Sequence, residues 1–176
     1  MAPATRDGAT PIVVGASARA IIAASPEQLW AWIADPTRHP QVAGSGEPQS
    51  IDVIGGQMHG VGTRFESRQK IMGLVRYVSH SEVVAFEVNR RFHFRVEDHA
   101  DWDFMLEPVA GGTRVTHRHR FEAPTRGLMG LILPIQRRRA RQNAVGMVRT
   151  LENLARLVGA PAPTHIQVSY DPPTLD

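Results

Sequence analysis

The chain of 176 residues contains no cysteine. That excludes disulfides, thiolate metal ligands and a cysteine nucleophile. Lys70 is the sole lysine among 20 basic side chains, the rest being arginine, so the net charge of +3 is an arginine charge. Arginine clusters can neutralise phosphates, and the densest here is RRRAR at 137–141. No helix-turn-helix, zinc-finger or aromatic RNA-binding pattern accompanies it, so it reads as a solvated helix face and no nucleic-acid partner is expected. No apolar run approaches the roughly 18 residues of a membrane span. The first residues, MAPATRDGATP, lack the apolar stretch of a secretory signal. A cytoplasmic protein without a membrane span is expected. Also missing are G-x-S-x-G, the P-loop, G-x-G-x-x-G and H-E-x-x-H, which removes support from hydrolase, kinase and dehydrogenase readings and leaves no cofactor to expect.

What is present suits one domain with a real core. Residues 1–11 read as a flexible arm, 12–160 as a single ligand-binding domain and 161–176 as a Pro-rich tail. VVGASARAIIAAS is a strand candidate. Ser25, Pro26 and Gln28 then form a helix start of the S-x-x-Q type, and Leu29, Trp30 and Ile33 share one face. DPTRHPQV allows one further helical turn. Strand-like segments follow near 50–55, 62–71, 74–83, 84–95, 100–107 and 113–122, an antiparallel meander. Beyond Pro124 the period changes: Ala140, Ala144, Met147, Val148, Leu151, Leu154, Ala155 and Val158 form the stripe of a long amphipathic helix. The apolar GLMGLILP at 127–134 reads as a short piece ahead of it.

The stretch VTHRHRF at 115–121 alternates strictly. Val115, His117, His119 and Phe121 share one face, and Arg114, Thr116, Arg118 and Arg120 the other. Because arginine is almost never buried unpaired, the histidine face points inward. The same logic turns Trp102, Phe104 and Leu106 inward, and leaves Asp101, Asp103 and Glu107 outside to pair with the arginines across the hairpin. In 62–71, Thr63, Phe65, Ser67, Gln69 and Ile71 make the inner set. For 74–83 either set fits, one of them containing Tyr77 and the other His80.

The order of elements, α+β with one long terminal helix, resembles the START/Bet v 1-like (SRPBCC) superfamily, within it the polyketide cyclase/dehydrase-like proteins. The resemblance rests on ARAIIAASPEQLWAWIADPTRHPQV, GVGTRF, WDFMLEPVAGGTRVTHRHRF and the terminal helix, over residues 18–158. Val42 departs from it, since many relatives have Trp there. The resemblance implies a helix-grip fold, in which a curved antiparallel sheet wraps the long C-terminal helix, with two short helices after the first strand, around an apolar cavity. It also implies a hydrophobic small-molecule ligand and provides no universal catalytic motif.

With that fold His117 and His119 face the cavity about 7 Å apart along the strand. They are the candidate catalytic residues for proton transfer, with Tyr77 to polarise a carbonyl. Phe65, Ser67, Gln69, Trp102 and Phe104 are the candidate ligand-binding residues. Two blander readings stay open, that each imidazole only hydrogen-bonds a neighbour, or that the pair is part of a zinc site needing a third ligand such as His80, His93 or Glu66. No metal is expected. The functional reading is a polyketide cyclase-, aromatase- or dehydratase-like enzyme. The alternatives are a non-catalytic carrier or sensor, and an adaptor using its arginine-rich surface. A homodimer is compatible with the sequence.

Overall fold

Ser25 caps the first helix, α1 (Pro26–Ile33): its hydroxyl accepts from Gln28 N while the Gln28 side chain returns to Ser25 N. The reciprocal pair satisfies two orphan donors and fixes where the helix begins. Before it runs β1 (Ile12–Ile22), and after it a 3-10 turn (Pro36–Arg38) leads into α2 (His39–Val42). Then come β2 (Pro48–Val53), β3 (Arg64–Ile71), β4 (Val75–Glu87), β5 (Arg91–Val96), β6 (Ala100–Val109), β7 (Gly112–Ala123), α3 (Leu133–Leu157) and β8 (Thr164–Tyr170). This computed structural model describes residues 12–71, 74–97, 100–123 and 133–170. The arm over 1–11 and most of the apolar piece at 127–134 lie outside the described residues.

All strands join one antiparallel sheet in the order β2-β3-β4-β5-β6-β7-β1-β8. The curved sheet wraps α3, which gives the helix-grip fold. α3 lies chiefly on β1, with further contact to β7 and β8. Small inward residues on β1, Ala16, Ala18 and Ala20, are fully buried and let the helix approach closely. Its stripe residues Ala144, Met147, Leu151, Leu154 and Ala155 complete the core with Ile22, Leu29, Ile33, Phe92 and Val115.

Three features differ from the sequence reading. The strand expected to end at 83 continues to Glu87, and the turn lies at Val88–Arg90, where Asn89 adopts φ 60°. Asn tolerates the left-handed region, so this turn needs neither Gly nor Pro. A bulge between Val83 and Ala85 also reverses the alternation of β4: Ser79, Ser81 and Val83 are buried before it, and Phe86 packs on the core after it. Hence neither parity fits the whole strand. Thirdly, the stretch read as a Pro-rich tail contributes β8, paired antiparallel to β1.

The outer acids also choose other partners. Glu107 pairs across the hairpin with Arg114 as expected. Asp103 instead takes a two-pronged bond from Arg91, at 3.1 and 2.8 Å, and Asp101 accepts from Arg95 and His93 at 2.9 and 3.0 Å, all on β5. Burial alone would raise the Asp101 carboxyl; the His93 and Arg95 hydrogen bonds outweigh it and hold the group at about 2.

Candidate functional site

Between the sheet and the first half of α3 lies a cavity of about 260 Å³. The core fills the other end, around Ile22, Val115 and Leu154. The division follows from the sequence of β7 and α3. Val115 is followed inward by His117 and His119, and the stripe of α3 is flanked toward residue 139 by Arg139, Asn143, Gly146 and Thr150. Polar and small side chains cannot close this end as Leu and Ile close the other.

The structure brings His117, His119, Tyr77, Phe65, Ser67, Gln69, Trp102 and Phe104 to the wall of this one cavity. His117 is 5% exposed and its ring stacks on Phe104, centroids 3.9 Å apart and nearly parallel. Its Nδ1 is buried with no hydrogen-bond partner among the described residues. His119 is partly accessible and sits 4.4 Å from Trp102, centroid to centroid. Asn143 Nδ2 lies 3.4 Å from its Nδ1. With the amide donating, the His119 proton sits on Nε2.

Both imidazoles are neutral at pH 7. Burial, reinforced by His39 and His119, lowers His117 to about 3. Burial and the Arg139 guanidinium lower His119 to about 4, against a smaller opposing pull from Asp101. The cause is desolvation of the charged form.

Sequence reasoning missed His39, a third imidazole in the wall. Its Nε2 donates to Ile33 O at 2.8 Å, and its ring contacts Phe92, Phe94 and Phe104. Burial lowers its pKa as well. Also missed was the rim. Arg139 pairs with Glu47 at 3.4 Å, linking α3 to the loop before β2. Tyr77 stands at this rim, 38% exposed, and burial followed by the Glu47 charge raises its pKa, so it remains a phenol and a donor. Gln69 donates to Ser79 at 3.2 Å, while the buried Ser67 Oγ has no partner among the described residues. Spacing on α3 could have found Arg139: 139, 143, 146 and 150 run along one flank of the apolar stripe.

The proposed third metal ligands do not converge. Glu66 and His80 pair with each other at 3.5 Å, and His93 binds Asp101, all on the outer face of the sheet. Among the described residues no three His, Cys, Asp or Glu side chains are grouped to hold a metal ion. Among them also, no helix is long and apolar enough to cross a membrane.

Residues 14–159 match the sequence model of the family described as polyketide cyclase/dehydrase and lipid transport. The chain belongs to that family, and with it to the START/Bet v 1-like (SRPBCC) superfamily. Among solved structures it is similar to a polyketide-cyclase-like protein of Corynebacterium glutamicum, at 22% identity and TM-score 0.59 over 82% of this chain and 91% of that one. It is similar too to a Thermus thermophilus protein, at 22% identity and TM-score 0.58 over 82% and 96%. The di-domain ARO/CYC protein StfQ of the steffimycin biosynthetic pathway superposes with TM-score 0.68 at 10% identity, over 84% of this chain and 51% of StfQ, so the chain spans about half of it. These likenesses show the fold. No functionally curated protein sequence matches the chain significantly. Family and cavity together support a role in holding a hydrophobic ligand.

Proposed function

We propose that the protein binds a hydrophobic, carbonyl-bearing small molecule in this cavity and acts on it as a cyclase, aromatase or dehydratase. The observation that supports this best is His117: a neutral ring held flat by Phe104 in the cavity wall, with Nδ1 left without a partner among the described residues. An unsatisfied buried acceptor or donor is costly, and a ligand group would satisfy it.

A neutral imidazole can accept a proton at one nitrogen and donate from the other, so no net charge persists in the apolar site. A neutral imidazole N–H also suits polarising a carbonyl. In ring closure, one nitrogen takes a C–H proton as the new C–C bond forms, and an N–H protonates the carbonyl oxygen to a hydroxyl. Dehydration then breaks that C–O bond and a neighbouring C–H bond and releases water. His117 and His119 are the groups for these transfers. The walls from Trp102, Phe104 and Phe65 hold a flexible chain in a folded shape, where most of the rate gain of an intramolecular reaction originates. Tyr77, Ser67 and Gln69 supply hydrogen bonds to its oxygens.

A second reading, a non-catalytic carrier, is favoured by the same low pKa values, because imidazoles near 3 and 4 are weak bases. One experiment separates the two. A short poly-β-ketone thioester mimic is incubated with the protein, and aromatic product is followed by ultraviolet absorbance while binding is followed by calorimetry. The enzyme reading expects turnover that falls at least about 100-fold in the His117→Gln/His119→Gln double variant while binding survives. Binding without turnover in the unsubstituted protein establishes the carrier.

A further inference from the structure

The hairpin of β3 and β4 projects beyond the body of the sheet. A half-buried strand alternates buried and exposed residues, yet β4 opens with four exposed in succession, Val75 to Val78, before Ser79 begins the alternation. Leu74, in the turn ahead of it, is 84% exposed, Val75 61% and Val78 48%. Val75 and Tyr77 stand on the cavity side of the strand, Arg76 and Val78 on the outer side, so both sides of the hairpin end carry exposed apolar groups. Single exposed apolar residues are ordinary, but three within five positions at a projecting end form a patch, and patches mark interaction sites.

The charge beside this patch has one sign. Lys70 on β3 lies directly opposite Arg76 on β4, and neither side chain has an ion pair or hydrogen bond among the described residues. Like charges opposed across a strand pair destabilise it, and an anion lying over both removes that cost. No Asp or Glu occurs from Ser67 to Ser81. The acids of the adjoining segments have other partners: Asp52 pairs with Arg68, Glu82 with Arg64, and Glu66 and Glu97 with His80.

We propose that this hairpin end docks on the surface of an anionic phospholipid bilayer, with Leu74, Val75 and Val78 in the outer acyl region and Lys70 and Arg76 on the lipid phosphates. Arg76 follows Leu74 by two residues, about 7 Å of strand. That step matches the depth of about 5–10 Å to which an interfacial element buries its apolar part. Tyr77 lies on the same end and also lines the cavity, and tyrosine is a side chain that collects at the membrane interface. Docking therefore brings the cavity rim to the bilayer, where hydrophobic molecules concentrate. A second copy is disfavoured as occupant, because two such ends in contact would bring four uncompensated cations together. The docking does not depend on any chemistry in the cavity.

Vesicle co-sedimentation tests it, with phosphatidylcholine alone and with roughly 30 mol% phosphatidylserine added. The unsubstituted protein is expected to partition onto the anionic vesicles, far less onto the neutral ones, and to be released by high salt. Lys70→Gln/Arg76→Gln is expected to weaken partition about 10- to 30-fold. Leu74→Ser weakens it about 10-fold, with the circular-dichroism spectra of both variants unchanged. Insertion is read by a polarity-sensitive dye on a single introduced cysteine, since the chain has none of its own. On Leu74→Cys the emission shifts to the blue as anionic vesicles are added. On Val88→Cys, just beyond the other end of β4 and 63% exposed, it stays in place. No partition onto anionic vesicles overturns the proposal, as does partition that Lys70→Gln/Arg76→Gln leaves intact, or an equal shift at the two dye positions. A dimer formed without vesicles and broken by Leu74→Ser would make the hairpin end a contact between copies and overturn it too.

Discussion

His117 is buried, neutral and, among the described residues, without a partner at Nδ1, and its consequence for stability is testable apart from any ligand. In the unfolded chain both cavity histidines take up a proton near pH 6.5, whereas folded His119 does so at about 4 and His117 at about 3. Between those values the unfolded form binds more protons, so stability is complete above about pH 6.5 and is lost as pH falls through the folded values. His39 contributes in the same direction. Asp101, held at about 2 from an ordinary 3.8, adds its loss only at still lower pH. Urea unfolding from neutral pH down to about pH 4 should therefore show a falling midpoint, with a clearly shallower fall in His117→Gln/His119→Gln. An unchanged slope in that variant would mean the imidazoles are not desolvated. At this scale the sequence was readable where period-2 alternation decides: Phe65, Ser67, Gln69, Trp102, Phe104, His117 and His119 all face the cavity. His39 was not, because a four-residue helix has no period to read and its burial depends on three phenylalanines from β5 and β6.

Elements meet here through close backbone contacts, and the tightest is at Gly44, after α2. A Cβ on Gly44 would collide with Gly146 O and Arg149 Cβ and lie 2.6 Å from Thr150 N, so the loop rests directly on α3. The contact is bonded as well as close: Gly44 N donates to Thr150 Oγ1 at 2.9 Å, and Asn153 Nδ2 to Val42 O at 3.2 Å. Gly44→Ala is expected to destabilise by about 1–3 kcal/mol, as overpacking does, and to weaken ligand binding because Val42, Ser45 and Glu47 line the cavity on either side of it. Thermal melts with a ligand-binding titration check both; a neutral effect would show that the loop is free to move off the helix. Element types and order were legible from the capping box, the strand alternation and the 3.6-residue stripe. Less legible were the β4 bulge, which reverses parity within one strand, and the Asn89 turn, which lacks Gly and Pro. β8 was obscured by the prolines around it, since pairing with β1 is a contact some 150 residues away in sequence.

At the scale of the molecule, one end of the sheet–helix sandwich is closed by Leu, Ile and Phe, while the other is left hollow and lined with imidazoles. That asymmetry is the central claim: the hollow exists to receive an apolar guest. It is tested most directly by titrating the purified protein with anilinonaphthalene sulfonate beside a variant in which the space is filled, Ser67→Phe. Ser67 is buried in the cavity wall on β3, so an aromatic ring there projects into the hollow. Saturable one-to-one binding by the unsubstituted protein, lost in a folded Ser67→Phe, is the expected result. No binding, or equal binding by both proteins, would contradict it.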